Sequence, residues 1–290
     1  MSSEVIGGQA LMEGVMMLNG KKQGIAVRNP KGKIITKKSL LSPPSSKITR
    51  LPFIRGIITL IYTMIIGIRA LNFSTSIALE QEEEDFSGWK AFLFMLLSFA
   101  FAIFIFKFVP LLVTKYIVAK MLILQKINII PNIIDGILKI SIFILYLYLI
   151  SLSKETKRLF QYHGAEHKTV RCQEAKKRLT VKNVKTFSRF HPRCGTSFIF
   201  GVFVISILVY TIIPFSSTTF WENLLFRILL LPVIMGISYE ALKFLGKNEK
   251  NFFFKALTAP GMWMQRMTTR EPNDDQIKVG IMAMKKSMEK

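Results

Sequence analysis

Apolar residues in this 290-residue chain gather into long runs through the middle and into short, interrupted runs near the start. Four of the long runs, at about 91–113, 132–152, 197–215 and 224–245, match the roughly twenty residues a helix needs to cross hydrocarbon. A fifth, 56–79, is broken by charge. Arg55 and Arg69 leave thirteen uncharged residues between them, roughly 20 Å of helix against a core of about 30 Å. That run is expected to lie as an interfacial or re-entrant helix. In the first fifty residues the apolar runs are short, at 11–18, 23–28 and 33–38. The turn signals Asn19-Gly20 and Asn29-Pro30-Lys31-Gly32 separate them, which predicts a three-stranded meander. Ser42-Pro43-Pro44-Ser45-Ser46 follows as a linker.

The expected fold is mainly α: a polytopic membrane helix bundle of about four spans plus the interfacial or re-entrant helix, with a small N-terminal β meander. Its expected parts are a β-rich segment at 1–50, a membrane domain at 51–246 and a tail at 247–290. The tail ends in a helix, with Asp274 and Asp275 at its start and lysines at its end, as a helix dipole favours. Trp263 and its apolar neighbours have the character of an interfacial anchor. The acidic run Glu80–Asp85 reads as a solvated loop.

Charge orients the bundle. The chain carries 40 Lys and Arg against 18 Asp and Glu, a formal net charge of +22. Ten of the basic residues lie in 21–55, twelve in 154–193, and the tail is basic too. The positive-inside rule places all three segments in the cytoplasm, so both termini and the 154–196 loop are expected there, in the cell (cytoplasmic) membrane. Four spans satisfy each of these loops. The basic residues carry no recognised nucleic-acid motif, so the bilayer and its anionic headgroups are the expected partner. No hydrophobic signal segment is visible in the first fifty residues.

The chemistry concentrates in the basic loop. All three histidines of the chain, His163, His167 and His191, fall there, as do both cysteines, Cys172 and Cys194. On a helix, His163 and His167 share one face a turn apart and would grip one metal. His163-Gly164-Ala165-Glu166-His167 fits H-x-x-E-H, in which the glutamate between the two histidines acts as a base. A third ligand is required, and three residues qualify. His191 and Cys194 lie in a turn shaped by Pro192 and Gly195. Glu240 is an acid within an apolar run, which marks it as functional or as paired with a neighbouring cation. Glu240 would reach the histidines only if the chain bends near 153–160. Arg189 and Arg193 are candidates to hold an anionic substrate or oxyanion. Glu13, in the glycine-rich stretch 7–17, is a further candidate carboxylate. Those glycines suit either tight turns or an anion approached by backbone amides. The implied cofactor is a divalent metal, zinc first.

Together these segments resemble the YqhQ-like family of bacterial multipass membrane proteins of unknown function, described as predicted metal-dependent enzymes. The stretches that carry the resemblance are GGQALMEGVMM (7–17), YHGAEHKT (162–169), RFHPRCGTSF (189–198), GISYE (236–240) and APGMWMQRMTTREP (259–272). Leu18-Asn19 departs slightly, standing where similar proteins tend to be basic. The resemblance implies a multipass membrane protein with a suspected metal centre, carried by Glu13, His163, Glu166, His167, His191, Cys194 and Glu240. It supplies no substrate. The expected function is therefore a metal-dependent hydrolase at the cytoplasmic membrane face, acting on a membrane-linked substrate. The alternative is a non-enzymatic scaffold or adaptor with a structural metal site and a basic surface for a cytoplasmic partner.

Overall fold

The computed structural model describes residues 6–44, 46, 49, 51–80, 89–120, 127, 129–212, 215, 218–247 and 251–289. Ser45 of the linker and most of the acidic run 80–85 lie outside them. The N-terminal meander has four antiparallel strands where three were expected: β1 (Ile6–Leu11), β2 (Gly14–Asn19), β3 (Lys22–Arg28) and β4 (Ile34–Leu40), in that order. The extra strand is β1, whose Gly7 and Gly8 disguise it as turn. The turn signals fall between strands as read. Gly20 takes φ 58° and Gly32 φ +80°, and Asn29 Oδ1 accepts the Lys33 N–H at 2.9 Å.

The continuous apolar run Val15–Leu18 has a simple cause: the sheet is covered on both faces. Val15, Met17 and Ala26 pack toward one side, and Leu11, Met16, Ile25 and Val27 toward the other, as the two-residue strand period requires. The second face rests on α1 (Ile54–Leu79), through Ile66 and Ala70.

The helices that follow are α2 (Trp89–Ile103) and α3 (Val109–Lys120), joined through the π-helical turn Phe104–Phe108. Pro110, with no N–H to return to the preceding turn, explains the widened turn. Then come α4 (Ile129–Ile150), α5 (Lys154–Glu174) and the short α6 (Val181–Lys185). The chain closes with α7 (Gly195–Tyr210), α8 (Phe220–Leu229), α9 (Leu231–Lys247), α10 (Phe252–Thr268) and α11 (Asp274–Met288).

Three helical stretches among the described residues are long and apolar enough to cross a membrane: Ile54–Leu79, Leu96–Lys120 and Ile129–Ile150. A fourth is reached if α8 and α9, bent by 43° at their junction, count as one span. Pro232 stands at that bend. The stretch expected to span at 197–215 forms a helix of 16 residues, short of that length. The 56–79 run, expected to be interfacial, forms a helix long enough to cross, although its C-terminal half packs on the sheet.

The sheet, α5 and α11 make one body. Val15, Met17 and Ala26 meet Tyr162 and Val170 of α5 and Val279, Ala283 and Met284 of α11. A capping box at Asn273 and Gln276 starts α11, with Asp274 and Asp275 in its first turn. The chain breaks between α4 and α5, where Ser153 caps α5 by accepting the Thr156 N–H at 3.0 Å.

Candidate functional site

Helix α5 sets His163, Glu166 and His167 on one side, toward the turn formed by residues 190–195. The two rings lie with centroids 4.4 Å apart. Each imidazole is fixed by a backbone carbonyl: His163 Nδ1 lies 2.7 Å from Thr268 O, and His167 Nδ1 lies 2.6 Å from Arg189 O. A carbonyl only accepts, so Nδ1 carries the proton in both rings, and Nε2 is left as a lone-pair donor facing inward.

Cys194 completes the group. Its Sγ lies 3.5 Å from His163 Nε2, and one donor atom from each of His163, His167 and Cys194 falls within 4.8 Å of the others. The residue is also the N-cap of α7, with its sulfur accepting the Thr196 N–H at 3.5 Å, at the electropositive end of that helix. Two imidazoles and a thiol make a donor set suited to a divalent ion, with a fourth position open.

Glu166 stands beside them, buried, with Oε2 3.5 Å from His167 Nε2. Its room comes from β1. A Cβ at Gly8 would lie 2.5 Å from Glu166 Oε1 and 2.6 Å from its Cγ, so no larger residue fits there without moving the carboxylate. Gly164, between the histidines, likewise lets α5 approach the Arg270 carbonyl. The enclosed space is a cavity of about 120 Å³, walled by Ile6, Gly7 and Gly8 on one side and by the histidines, Glu166, Arg193 and Cys194 on the other. Burial pushes the Glu166 carboxyl above its ordinary range, against the opposing pull of His163 and His191. Burial also pushes the His167 imidazole down, against the hydrogen bond that its charged form donates to the Cys194 sulfur.

The remaining sequence candidates separate. His191 lines the cavity, with its ring centroid 5.7 Å from that of His167, but its Nε2 lies 3.2 Å from Glu174 Oε2. Arg193 also lines the cavity and pairs with the same Glu174. Arg189 contributes its carbonyl to His167, and its guanidinium lies 4.0 Å from Glu271. Glu240 does not reach the cavity; Arg55 of α1 binds both of its oxygens, with Nε 2.6 Å from Oε1. Glu13 sits in the β1–β2 turn at φ 53° and docks that turn on α5, pairing with Arg158 and accepting from Tyr162 Oη at 3.1 Å. Cys172 is buried and free.

Two supporting residues escape the sequence reading. Gln265 of α10 is fully buried and clamps the turn: it accepts the His191 N–H at 2.8 Å and donates to the His191 carbonyl at 2.7 Å. Its signal is a lone amide in the apolar stretch Met262-Trp263-Met264-Gln265. Glu174, at the end of α5, orients His191 and Arg193, and nothing in its local pattern singles it out.

A family model described as "Protein of unknown function (DUF1385)" matches residues 51–290. The chain belongs to this family. The uncharacterised protein YqhQ of Bacillus subtilis (strain 168) is 35% identical over 292 residues, which cover 95% of this chain and 89% of that protein. No solved structure matches. The DUF1385 match takes in α5, the 190–195 turn, α10 and α11, and leaves out the sheet whose Gly8 packs on Glu166.

Proposed function

We propose that this DUF1385 protein is a metal-dependent hydrolase working at the cytoplasmic face of the cell membrane. The observation that carries this reading is the convergence of His163, His167 and Cys194 around an open position beside the buried Glu166. A bound divalent ion, zinc first on this donor set, would supply Lewis acidity and make water acidic enough to lose a proton near neutral pH. Thr268 and Arg189 hold the two rings so that no rotation is needed before they act as ligands. Glu166, buried with Oε2 3.5 Å from His167 Nε2, would be placed to accept that proton. Arg193, at the cavity wall, offers a cation to an anionic substrate.

A groove of about 800 Å³ on the far side of the 190–193 turn supports a membrane-linked substrate. Arg171, Lys255 and Arg266 line it together with Phe190, Pro192 and Trp263. Cations interleaved with aromatic rings suit an anionic headgroup at the lipid boundary. The cytoplasmic placement rests on the basic segments 21–55 and 154–193. It also rests on the sheet: its open edges have no place in hydrocarbon, so the half of α1 beneath it belongs outside the lipid.

The test is elemental analysis of protein purified in detergent without a metal-binding tag, followed by hydrolysis assays on membrane-linked ester and phosphate substrates. About one equivalent of metal in wild type and Glu166→Gln, lost in His163→Ala/His167→Ala, is expected, with hydrolysis lost in both variants. Metal retained with no hydrolysis of these substrates by wild type would favour the scaffold with a structural metal clip. No metal after zinc or manganese is added back ends both readings.

A further inference from the structure

A second polar centre lies inside the bundle, on the helices that carry the spans. Lys107, Asp135, Lys139 and Arg227 come from the α2–α3 helix, from α4 twice and from α8. Their exposures are 7%, 1%, 0% and 0%, which is rare for charged residues and costly at membrane depth. All three cations face one ring. Lys107 Nζ lies 5.0 Å, Lys139 Nζ 4.9 Å and Arg227 Cζ 4.6 Å from the centroid of Tyr210. The pairing among them is unequal. Asp135 Oδ2 accepts from both Lys139 and Arg227, and Arg227 Nη2 reaches Asn132 Oδ1 at 2.6 Å. Lys107 donates to the neutral Tyr210 hydroxyl at 2.8 Å and has no carboxylate partner among the described residues. Two buried polar atoms of the cluster, Asp135 Oδ1 and Arg227 Nε, have no hydrogen-bond partner among the described residues.

Among the described residues, three basic side chains share one carboxylate. An unpaired ammonium in a low-dielectric bundle is strongly unfavourable unless an anion joins it or its proton leaves, and an acidic ligand would meet that need directly. The nearest further acid on α8, Glu222, is engaged in its own capping box. A cavity leads to the lysine that lacks a carboxylate. It holds about 250 Å³ and is lined by Phe99, Phe106, Phe143, Val202, Phe203 and other apolar groups, with Lys107 as its one charged wall. Phe99 on its wall is 60% exposed, so the cavity reaches the surface of the bundle.

We propose that this cavity binds an acidic single-chain amphiphile, a fatty carboxylate, with its chain among the phenylalanines and its carboxylate on Lys107. The apolar walls exclude a hydrated inorganic ion, and the lysine excludes a neutral chain. Charge complementarity and the lateral opening together select the occupant. This site is separate from the histidine cavity and does not rest on the reading of that cavity.

The experiment measures thermal midpoints of the full chain in a neutral maltoside detergent, with dodecanoate, dodecanol or sodium chloride added. Dodecanoate at a hundredfold excess over its Kd is expected to raise the midpoint by roughly 5 °C. The rise should persist in Lys107→Arg and in His163→Ala/His167→Ala, and disappear in Lys107→Met. Should Lys107→Met fail to fold, Phe203→Trp fills the groove and leaves the charges intact; loss of the rise there supports the site, and its retention overturns it. An equal rise from dodecanol, an equal rise from chloride alone, or a rise that survives in Lys107→Met also overturns it.

Discussion

In the histidine cavity, the outer nitrogen of each of two rings is held by a backbone carbonyl, and the inner donor atoms are left to converge with a thiol. In the bundle, Lys139 and Arg227 instead direct their donors at a single carboxylate oxygen, and Lys107 is left facing a phenol. The first arrangement is oriented, with donor atoms of the kind a metal cation takes. The second sets three basic side chains against one carboxylate among the described residues. The comparison teaches that clustering alone says little about what a polar centre binds. The atoms that remain uncommitted, and the sign of the charge left over, decide it.

The strongest way to break this comparison is to remove the carboxylate on which the bundle relies. Asp135→Asn keeps the shape but leaves Lys139 and Arg227 without an anion, and breaking a buried pair in this way costs about 3–5 kcal/mol. A large fall in thermal midpoint is expected in detergent, greater than that of Asp135→Asn/Lys139→Met, which removes one cation along with the anion. If the single variant is as stable as wild type, the bundle cluster is not held by charge and the contrast with the histidine cavity collapses.

A smaller effect is expected at Gly8. Its Cα lies against Glu166, and an added Cβ would meet the carboxylate at 2.5 Å. Gly8→Ala should therefore displace Glu166 while leaving His163, His167 and Cys194 in place. A misplacement of about 1 Å costs up to roughly a hundredfold in rate. The expected result is an unchanged metal content with hydrolysis reduced by about ten- to a hundredfold. Loss of metal from this variant would instead make Glu166 a ligand.

How legible this was from sequence follows from the range of each interaction. The two histidines and Glu166 were legible because helical spacing alone puts them on one face. Strands β2, β3 and β4 were legible through the turns between them. Strand β1 was not, since its Gly8 serves a residue of α5 about 160 positions away. The third donor also stayed open. Cys194 and His191 are neighbours in one turn and both line the cavity, and only the fold shows that Glu174 engages the His191 Nε2 while the Cys194 sulfur lies 3.5 Å from His163. Glu240 reads from the sequence as functional or paired, and its partner is Arg55, 185 residues away in sequence. Lys107, Lys139 and Arg227 were passed over because a single cation in an apolar run barely lowers its hydropathy. That three such singletons meet at Tyr210 is a property of the bundle.

The smallest effect is the response of the metal-free histidine site to pH, and there two buried groups oppose each other. Burial lowers the His167 pKa in the folded chain. Its contribution to stability is therefore full above the ordinary histidine value of about 6.5 and is lost as pH falls below it toward the folded value. Burial raises the Glu166 pKa. Its contribution has the other sign: it is full below the ordinary glutamate value and is lost as pH rises toward the raised one. Acidification from neutrality thus weakens the site through His167 and strengthens it through Glu166, each by at most about 1.4 kcal/mol per pH unit. In chelator, wild type should show a shallow dependence of thermal midpoint on pH. Glu166→Gln removes the compensating group and should lose stability more steeply below about pH 6.5. His167→Gln should gain stability on acidification instead. Parallel curves for the three proteins would mean that neither group is buried as the cavity requires.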